Sequence, residues 1–318
     1  MTDVVRIGTR GSKLALVQSE FVRDELQRLH PGLEVEIVVI QTKGDRMLDA
    51  PLAKIGDKGL FTKELETAML EGRTDLSVHS AKDMPTTIPD GLELVAFTAR
   101  EDVRDAFVAG GGARPGGVAQ IPEGAVVGTS SLRRRSQLLA LRPDLDLVDI
   151  RGNVQTRLRK LDEQGMAGTI LAAAGLARLG QPELAAFAFS FEQMLPAVGQ
   201  GSLAIEARAG DARIRGLVVP LIHEPTSVAV QAERALMRSL EGGCQVPIAG
   251  HAELTAVPGV PGAWQLRLRA YVGSLDGADA LRGEKTGPAE APEALGTALA
   301  DELLGRGAGR ILAEVRGR

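Results

Sequence analysis

The chain is poor in sulfur and in aromatic side chains. Cys244 is the one cysteine among 318 residues, which excludes a disulfide within the chain and a cysteine-rich zinc site. The four histidines, His30, His79, His223 and His251, are scattered without ligand spacing, so metal chemistry is not expected. Aromatic residues make up 3% of the sequence, too few for the stacking platforms of single-strand nucleic-acid binders. No apolar run approaches the roughly 20 residues that a membrane-spanning helix needs. The opening MTDVVRIGTRGS lacks a basic stretch followed by an apolar one, as a secretory signal would have. These absences lead to the expectation of a cytoplasmic protein with no membrane or nucleic-acid partner. A large charge excess is missing too: the net charge is -4 and the pI about 5.7, so bulk electrostatics do not call for a polyanion.

What is present is the balance of a globular protein, 44% hydrophobic and 25% charged, at a length that suits two or three domains. The charge is not evenly spread. Between Ser131 and Lys160 stand eight basic and three acidic residues, a local net of +5. A basic island in an acidic chain points to an anionic ligand.

Hydrophobic periodicity sketches the organisation. VVRIGT (4–9) and VEIVVIQT (35–42) read as strands. Between them Leu14, Val17, Phe21, Val22, Leu26 and Leu29 form the stripe of an amphipathic helix, stopped by His30-Pro31-Gly32. A helix over 60–71 and a strand over 75–80 complete a βαβ pattern, which implies a largely parallel sheet. The Gly- and Pro-rich stretch 109–123 marks a boundary. A second α/β run follows: strands at 125–130, 145–150 and 169–174, helices at 132–141 and 153–164. The strand at 199–208 is expected to return to the first domain. Beyond Pro220 a helix (227–240), strands near 246–256, 264–273 and 279–285, and a helix over 291–304 predict a small α+β domain with an antiparallel sheet. The expected division is therefore 1–100 with 199–219, then 101–198, then 220–318.

Four constellations carry chemistry. In LEGGCQVPIAG (240–250) two glycines leave space beside Cys244, whose thiolate fraction is a strong nucleophile. A lone cysteine is equally at home as a small buried hydrophobe. In VHSAKDMPTT (78–87) a strand delivers Ser80, Lys82 and Asp83 to the carboxyl edge of a sheet, where ligands bind in open α/β folds. A carboxylate there can accept from an N–H and balance developing positive charge, although Asp before Met-Pro also suits a simple turn. VGTSSLRRR (127–135) and IRGNVQTRL (150–158) each run from a strand into a helix N-terminus, where N–H groups favour an anion. Thr129, Ser130 and Ser131 add hydroxyls, and Arg133, Arg134, Arg151 and Arg157 can fork onto carboxylates. RIGTRGSKLAL (6–16) places Arg10 and Ser12 at one more such junction, while Lys54 and Lys58 fall in LDAPLAKIGDKGLF (48–61), which reads as a flap or as an ordinary solvated loop.

Taken in order, RIGTRGS, KGLFTKELE, VHSAKDMP, VGTSSLRRR, RGNVQTRL, AAAGLARLG, LPAVGQG and LEGGCQVPI resemble the porphobilinogen deaminase family from about Arg6 to Val315. That resemblance implies two similar α/β domains, periplasmic-binding-protein-like, flanking a cleft, with a C-terminal α+β domain bearing the cysteine. It implies that Cys244 anchors dipyrromethane through a thioether, and that Asp83 is the catalytic aspartate. It implies that Lys82, Ser12, Thr129, Ser131, Arg133 and Arg134 hold the cofactor. Arg10, Arg151, Arg157 and Arg178 would bind the acetate and propionate groups of substrate. Lys54 and Lys58 match basic residues of an active-site loop, and Gln200 lies in a hinge-side segment. The activity implied is a transferase (hydroxymethylbilane synthase) joining four porphobilinogen molecules head to tail, with release of ammonia and hydroxymethylbilane, in tetrapyrrole and heme biosynthesis. Loss of ammonia gives an electron-poor azafulvene that a pyrrole α-carbon attacks, chemistry that needs a carboxylate and cations but no metal. A monomer is implied as well. Arg135 extends the arginine pair to three, and the loops near 110–119 and 257–263 fall outside the pattern.

Two other classes remain as alternatives: a two-lobed anion-binding protein without catalysis, and a nucleic-acid binder using the 131–160 island. A cysteine that never carries a covalent group would favour the first, and tight, salt-sensitive binding to random single strands the second.

Overall fold

The computed structural model describes residues 4–46, 59–112, 114–241, 246–257, 260 and 263–317. Lys54, Lys58 and Cys244, singled out above, lie outside the described residues. The chain begins with β1 (Val4–Thr9), α1 (Lys13–Leu29), β2 (Glu34–Val39), a one-turn α2 (Lys43–Arg46), α3 (Lys63–Leu70), β3 (Leu76–Ser80) and β4 (Leu92–Phe97). A second run comprises β5 (Asp105–Ala109), β6 (Val126–Gly128), α4 (Leu132–Leu141), β7 (Asp146–Val148), α5 (Val154–Glu163), β8 (Gly168–Ala172), α6 (Ala173–Arg178) and β9 (Ala185–Ala188). There follow β10 (Leu203–Arg208), α7 (Ala212–Val218) and α8 (Glu224–Ser239). The last stretch holds β11 (Ile248–Ala256), β12 (Trp264–Gly273), β13 (Ala280–Pro288), α9 (Pro292–Gly305) and α10 (Ala308–Arg316). Among these helices none is long and apolar enough to cross a membrane.

The chain folds as two compact units, Met1–Arg100 with Ser202–Ser227, and Glu101–Gly201 with Val228–Arg318. The first unit holds a five-stranded sheet in the order β2-β1-β3-β10-β4. β1 runs parallel to β2 and β3, whereas β10 is antiparallel to β3 and β4. Strand β10 thus lies in the first sheet, between two strands that precede it by about a hundred residues. One face of this sheet is apolar: Val5, Ile7, Leu76, Val78 and Ile205 pack with Val22 and Leu26 of α1 and Ile214 of α7. The alternate residues face the other way, beneath α3, and they are polar: Ser77 and His79 of β3 and Glu206 of β10.

The second unit contains two sheets. One is mixed and ordered β7-β6-β8-β5-β9, with β6 parallel to β7 and β8, and β5 antiparallel to β8 and β9. Its core includes Phe107, Val127, Leu138, Ile170 and Phe189. Phe107 stacks on Phe187, whose ring meets Phe189 edge-on. The other sheet is the antiparallel β11-β12-β13. Leu266, Leu268, Ala270 and Val272 alternate inward from β12, under Leu236 of α8 and Leu299 of α9. The fold is therefore α/β with two similar mixed sheets and a C-terminal α+β portion. Helix α8 starts at Glu224, ahead of the expected 227, because Pro225 suits a first helical turn.

The β5–β8 pair is packed without slack. Gly168 stands opposite Ala109, and a Cβ at Gly168 would overlap the Phe107 ring. Gly168→Ala is expected to destabilise the protein by ~1–3 kcal/mol, the usual range for overpacking a dense core. Equilibrium urea unfolding checks this, and an unchanged midpoint would show that Phe107 can move aside.

Candidate active site

The first unit gathers polar side chains at the carboxyl ends of β1 and β3. After β1 the chain turns into α1, whose N-cap is Ser12, its Oγ accepting from the Ala15 N–H at 3.3 Å. After β3 the chain closes a single 3-10 turn over Ala81–Asp83. That turn leaves Asp83 exposed and Lys82 half-buried. Arg10, Ser12, Gln18, Phe61, Ser80 and Asp83 line a small cavity of about 60 Å³. The Arg10 guanidinium lies 4.2 Å above the Phe61 ring, which fixes its place by a cation–π contact. Gln18 donates to Ser80 Oγ at 2.9 Å and so ties α1 to the end of β3. Arg10, Ser12 and Asp83, separated in sequence, are brought to one place, with Lys82 adjacent to Asp83.

The second unit assembles the basic island around the carboxyl ends of β6, β7 and β8. Thr129 is buried, and its Oγ1 accepts from the Ser131 N–H at 3.3 Å. Ser131 in turn caps α4 by accepting from the Arg134 N–H at 3.4 Å. Asn153 caps α5, its Oδ1 accepting from the Thr156 N–H at 2.9 Å. Arg157 donates to the Gly152 carbonyl at 2.9 Å, and Arg178 to the Gly201 carbonyl at 2.5 Å. Burial pushes the Arg178 guanidinium below its ordinary range, and the nearby Glu101 carboxylate opposes that shift. Arg151 is half-buried, and its Nη1 is buried without a hydrogen-bond partner among the described residues. Arg135 donates to the Leu147 carbonyl at 2.9 Å.

Arg133 and Arg134 are 5% and 6% exposed, and both converge on a carboxylate that the sequence did not advertise. Arg133 Nη1 meets Asp105 Oδ2 at 2.6 Å and the Leu195 carbonyl at 2.7 Å. Arg134 donates to Asp105 Oδ1 from Nε at 3.1 Å and Nη2 at 2.7 Å, and to the Ile170 carbonyl at 2.7 Å. Gln200, itself buried, adds a bond to Asp105 Oδ1 at 3.0 Å and one to the Val103 carbonyl at 2.7 Å. Complete burial by itself would raise the Asp105 pKa, but the charges and hydrogen bonds of Arg133 and Arg134 hold it far below the usual carboxylate range. Burial pulls the Arg133 guanidinium down, against the attraction of Asp105. Two cations on one carboxylate leave the cluster net positive. Asp105 opens an apolar strand, DAFVA, and its only signal in the sequence is a charge at a position that reads as core.

The comparisons with known proteins point one way. A family model described as "Porphobilinogen deaminase, dipyromethane cofactor binding domain" matches residues 5–216. A second, "Porphobilinogen deaminase, C-terminal domain", matches residues 227–305. The porphobilinogen deaminase of Gloeobacter violaceus is 52% identical over 316 residues, which covers 99% of this chain and 94% of that protein. Among solved structures, the methionine-binding protein MetQ aligns over 73% of this chain and 91% of its own, at 15% identity and a TM-score of 0.44. The periplasmic aliphatic sulphonate binding protein SsuA of Escherichia coli aligns over 76% and 71%, at 14% identity and a TM-score of 0.39.

Asp105→Asn strands two buried guanidiniums and is expected to cost about 3–5 kcal/mol of stability at neutral pH, as breaking a buried ion pair does. The native Asp105 pKa is depressed, so its contribution is present above the unfolded value of about 3.9 and fades as pH falls below it. Urea unfolding at pH 7 and at pH 3 should show the gap between wild type and variant narrowing in acid. A gap below ~1 kcal/mol at pH 7 would mean that Asp105 does not anchor the pair.

Proposed function

The chain belongs to the porphobilinogen deaminase family, and from that premise we propose that the protein is a hydroxymethylbilane synthase acting on porphobilinogen. It joins four porphobilinogen molecules head to tail on a dipyrromethane primer, with loss of ammonia and release of hydroxymethylbilane. The observation that carries the reading is the placement of Asp83: an exposed carboxylate at the end of β3, beside Lys82, in a cavity that Arg10 and Ser12 also line.

The donor set of the second unit fits a primer rich in carboxylates. Arg151 Nη1 is a buried donor without a partner among the described residues, which is costly unless an acceptor meets it. The Asp105 cluster adds net positive charge, and Arg133 and Arg134 are held at the N-terminal turn of α4, where the helix dipole also favours an anion. Thr129, Ser131, Arg133, Arg134 and Arg151 hold the primer in this reading, as do Ser12 and Lys82 from the first unit. Arg10, Arg157 and Arg178 take substrate acetate and propionate groups, and Lys54 and Lys58 add further cations. Cys244 bears the primer through a thioether. When bound, dipyrromethane supplies a free pyrrole α-carbon at which the chain grows.

Asp83 does two things that need an ionised carboxylate. It accepts from a pyrrole N–H and so orients the ring, and it balances positive charge that develops as the C–N bond to ammonia breaks. Cations around the substrate carboxylates hold the reacting carbons in register, which removes much of the entropic barrier to a bimolecular step. The same reading includes a cytoplasmic monomer divided at 1–100 with 199–219, 101–198 and 220–318.

Intact-mass measurement on the denatured protein tests the attachment. Wild type should exceed its sequence mass by two linked pyrrole units, directly or after incubation with porphobilinogen, and Cys244→Ala should not. A chain that never gains mass would favour an anion-binding protein without catalysis. For chemistry, Asp83→Asn should retain the adduct while turnover falls about 100-fold or more, on the scale of losing one charge-stabilising group. Near-normal turnover in that variant would remove Asp83 from the mechanism.

A further inference from the structure

The face of the first sheet beneath α3 is polar, whereas a sheet covered on both faces is ordinarily apolar on each. Helix α3 packs on β1, β3 and β10. Ser77 and Glu206 are register partners, and His79 stands opposite Ala204, so all three side chains share one face. His79 Nε2 lies 3.1 Å from Glu206 Oε2, with the two side chains 5% and 0% exposed. Glu66, on the helix α3 that packs against β3 and β10, is itself 7% exposed and feels the charges of both members of this pair. Glu66 Oε1, Glu206 Oε1 and Ser77 Oγ are buried with no hydrogen-bond partner among the described residues. Two carboxyl groups and an imidazole are thus enclosed together, with more acceptor capacity than donors to meet it.

The cluster abuts the candidate active site. His79 precedes Ser80 on β3, and the 3-10 turn bearing Lys82 and Asp83 follows directly. His79 and Thr62 line the same cavity as Asp83. We propose that Glu66, His79 and Glu206 form a buried positioning cluster for Asp83, one whose charge state sets how the end of β3 presents that carboxylate. The inference rests on the reading of Asp83 as the catalytic group.

Charge balance governs the cluster. A hydrogen bond between His79 Nε2–H and the Glu206 carboxylate ties β3 to β10, with both side chains buried. A second ionised carboxylate beside it would be strongly unfavourable. Burial is the main cause pushing the Glu66 carboxyl up from its ordinary range. The Thr62 hydroxyl opposes that shift, the Glu206 carboxylate reinforces it, and the charges of His79 and Lys63 oppose it. Further along the strands Arg6 and Arg208 are engaged by Asp75, and Arg208 also by Asp211. As pH rises, ionisation of Glu66 places a second negative charge against Glu206, and the grip on the end of β3 loosens.

The test is the pH dependence of kcat and KM for wild type, Glu66→Gln, Glu206→Gln and Asp83→Asn, each carrying its covalent primer. Glu66→Gln keeps the shape but cannot ionise, so the alkaline fall in kcat should move up by half a pH unit or more. Glu206→Gln should lower kcat about 10-fold with KM changed less than twofold, because orientation rather than affinity is lost. If Glu206→Gln fails to fold, Glu66→Gln carries the test alone. A wild-type alkaline limb in Glu66→Gln overturns the inference, as does wild-type kcat in a folded Glu206→Gln. A slow Asp83→Asn alongside those results would leave the reading of Asp83 standing; an active Asp83→Asn would overturn that reading as well.

Discussion

A carboxylate shut away from water must be met by donors or lose its charge, and the second unit is organised around one such carboxylate. Asp105 accepts from Arg133, Arg134 and Gln200, side chains drawn from the first turn of α4 and from the loop before β10. Because Arg133 and Arg134 also bind the carbonyls of Leu195 and Ile170, the cluster fixes β5, α4, β8 and the 195–201 segment against one another. The burial of all three charges is tolerable only as a set. Each guanidinium holds its orientation because the carboxylate does, and the cluster as a whole keeps a surplus of positive charge.

The two mixed sheets solve the same problem in the same way. In each, three parallel strands bring their carboxyl ends to one edge, and an antiparallel strand is inserted between the third and the outermost. Helix N-termini and hydroxyl or amide caps gather at that edge: Ser12 before α1, Ser131 before α4, Asn153 before α5. Each cap satisfies one of the first N–H groups of its helix. The first unit carries Asp83 just beyond a strand end, and the second carries Arg133, Arg134, Arg151 and Arg157 beyond its own, a difference that follows from which residues occupy each strand end.

Much of this is legible in the sequence, and what is not has a physical cause. Helix α4 and strand β12 have the expected limits, because Ser131 and the strict inward alternation of Leu266, Leu268, Ala270 and Val272 are strong local signals. Strands β4, β5 and β9 escape a reading by pattern: LELVAF, DAFVA and AAFA are short, largely apolar runs whose periodicity does not separate a strand from a buried helix segment. Helix α10 escapes it too, since Gly307, with its left-handed backbone, starts a helix directly after α9. At the site, the motifs name the residues, but they cannot show what lies behind them. Arg133 and Arg134 read as cations for a ligand; that they spend hydrogen bonds on a carboxylate 28 residues upstream is a property of the folded chain. The polarity under α3 is hidden for a related reason, since Glu66, His79 and Glu206 come from three distant segments.

The position of β10 has a consequence for how the molecule is made. Strand β3 finds its partner on one side only in Leu203–Arg208, and β4 joins the first sheet only through that same strand. A ribosome that has delivered the first hundred residues has delivered a sheet with a hole in it. The exposed strand edges must wait while another hundred residues, enough to form most of a second sheet, emerge at about 5–20 residues per second. For several seconds of every synthesis the nascent chain carries open backbone donors and acceptors, the kind of edge that recruits foreign strands. The first sheet is therefore begun first and finished late, and a chain terminated before Leu203 would leave it permanently open.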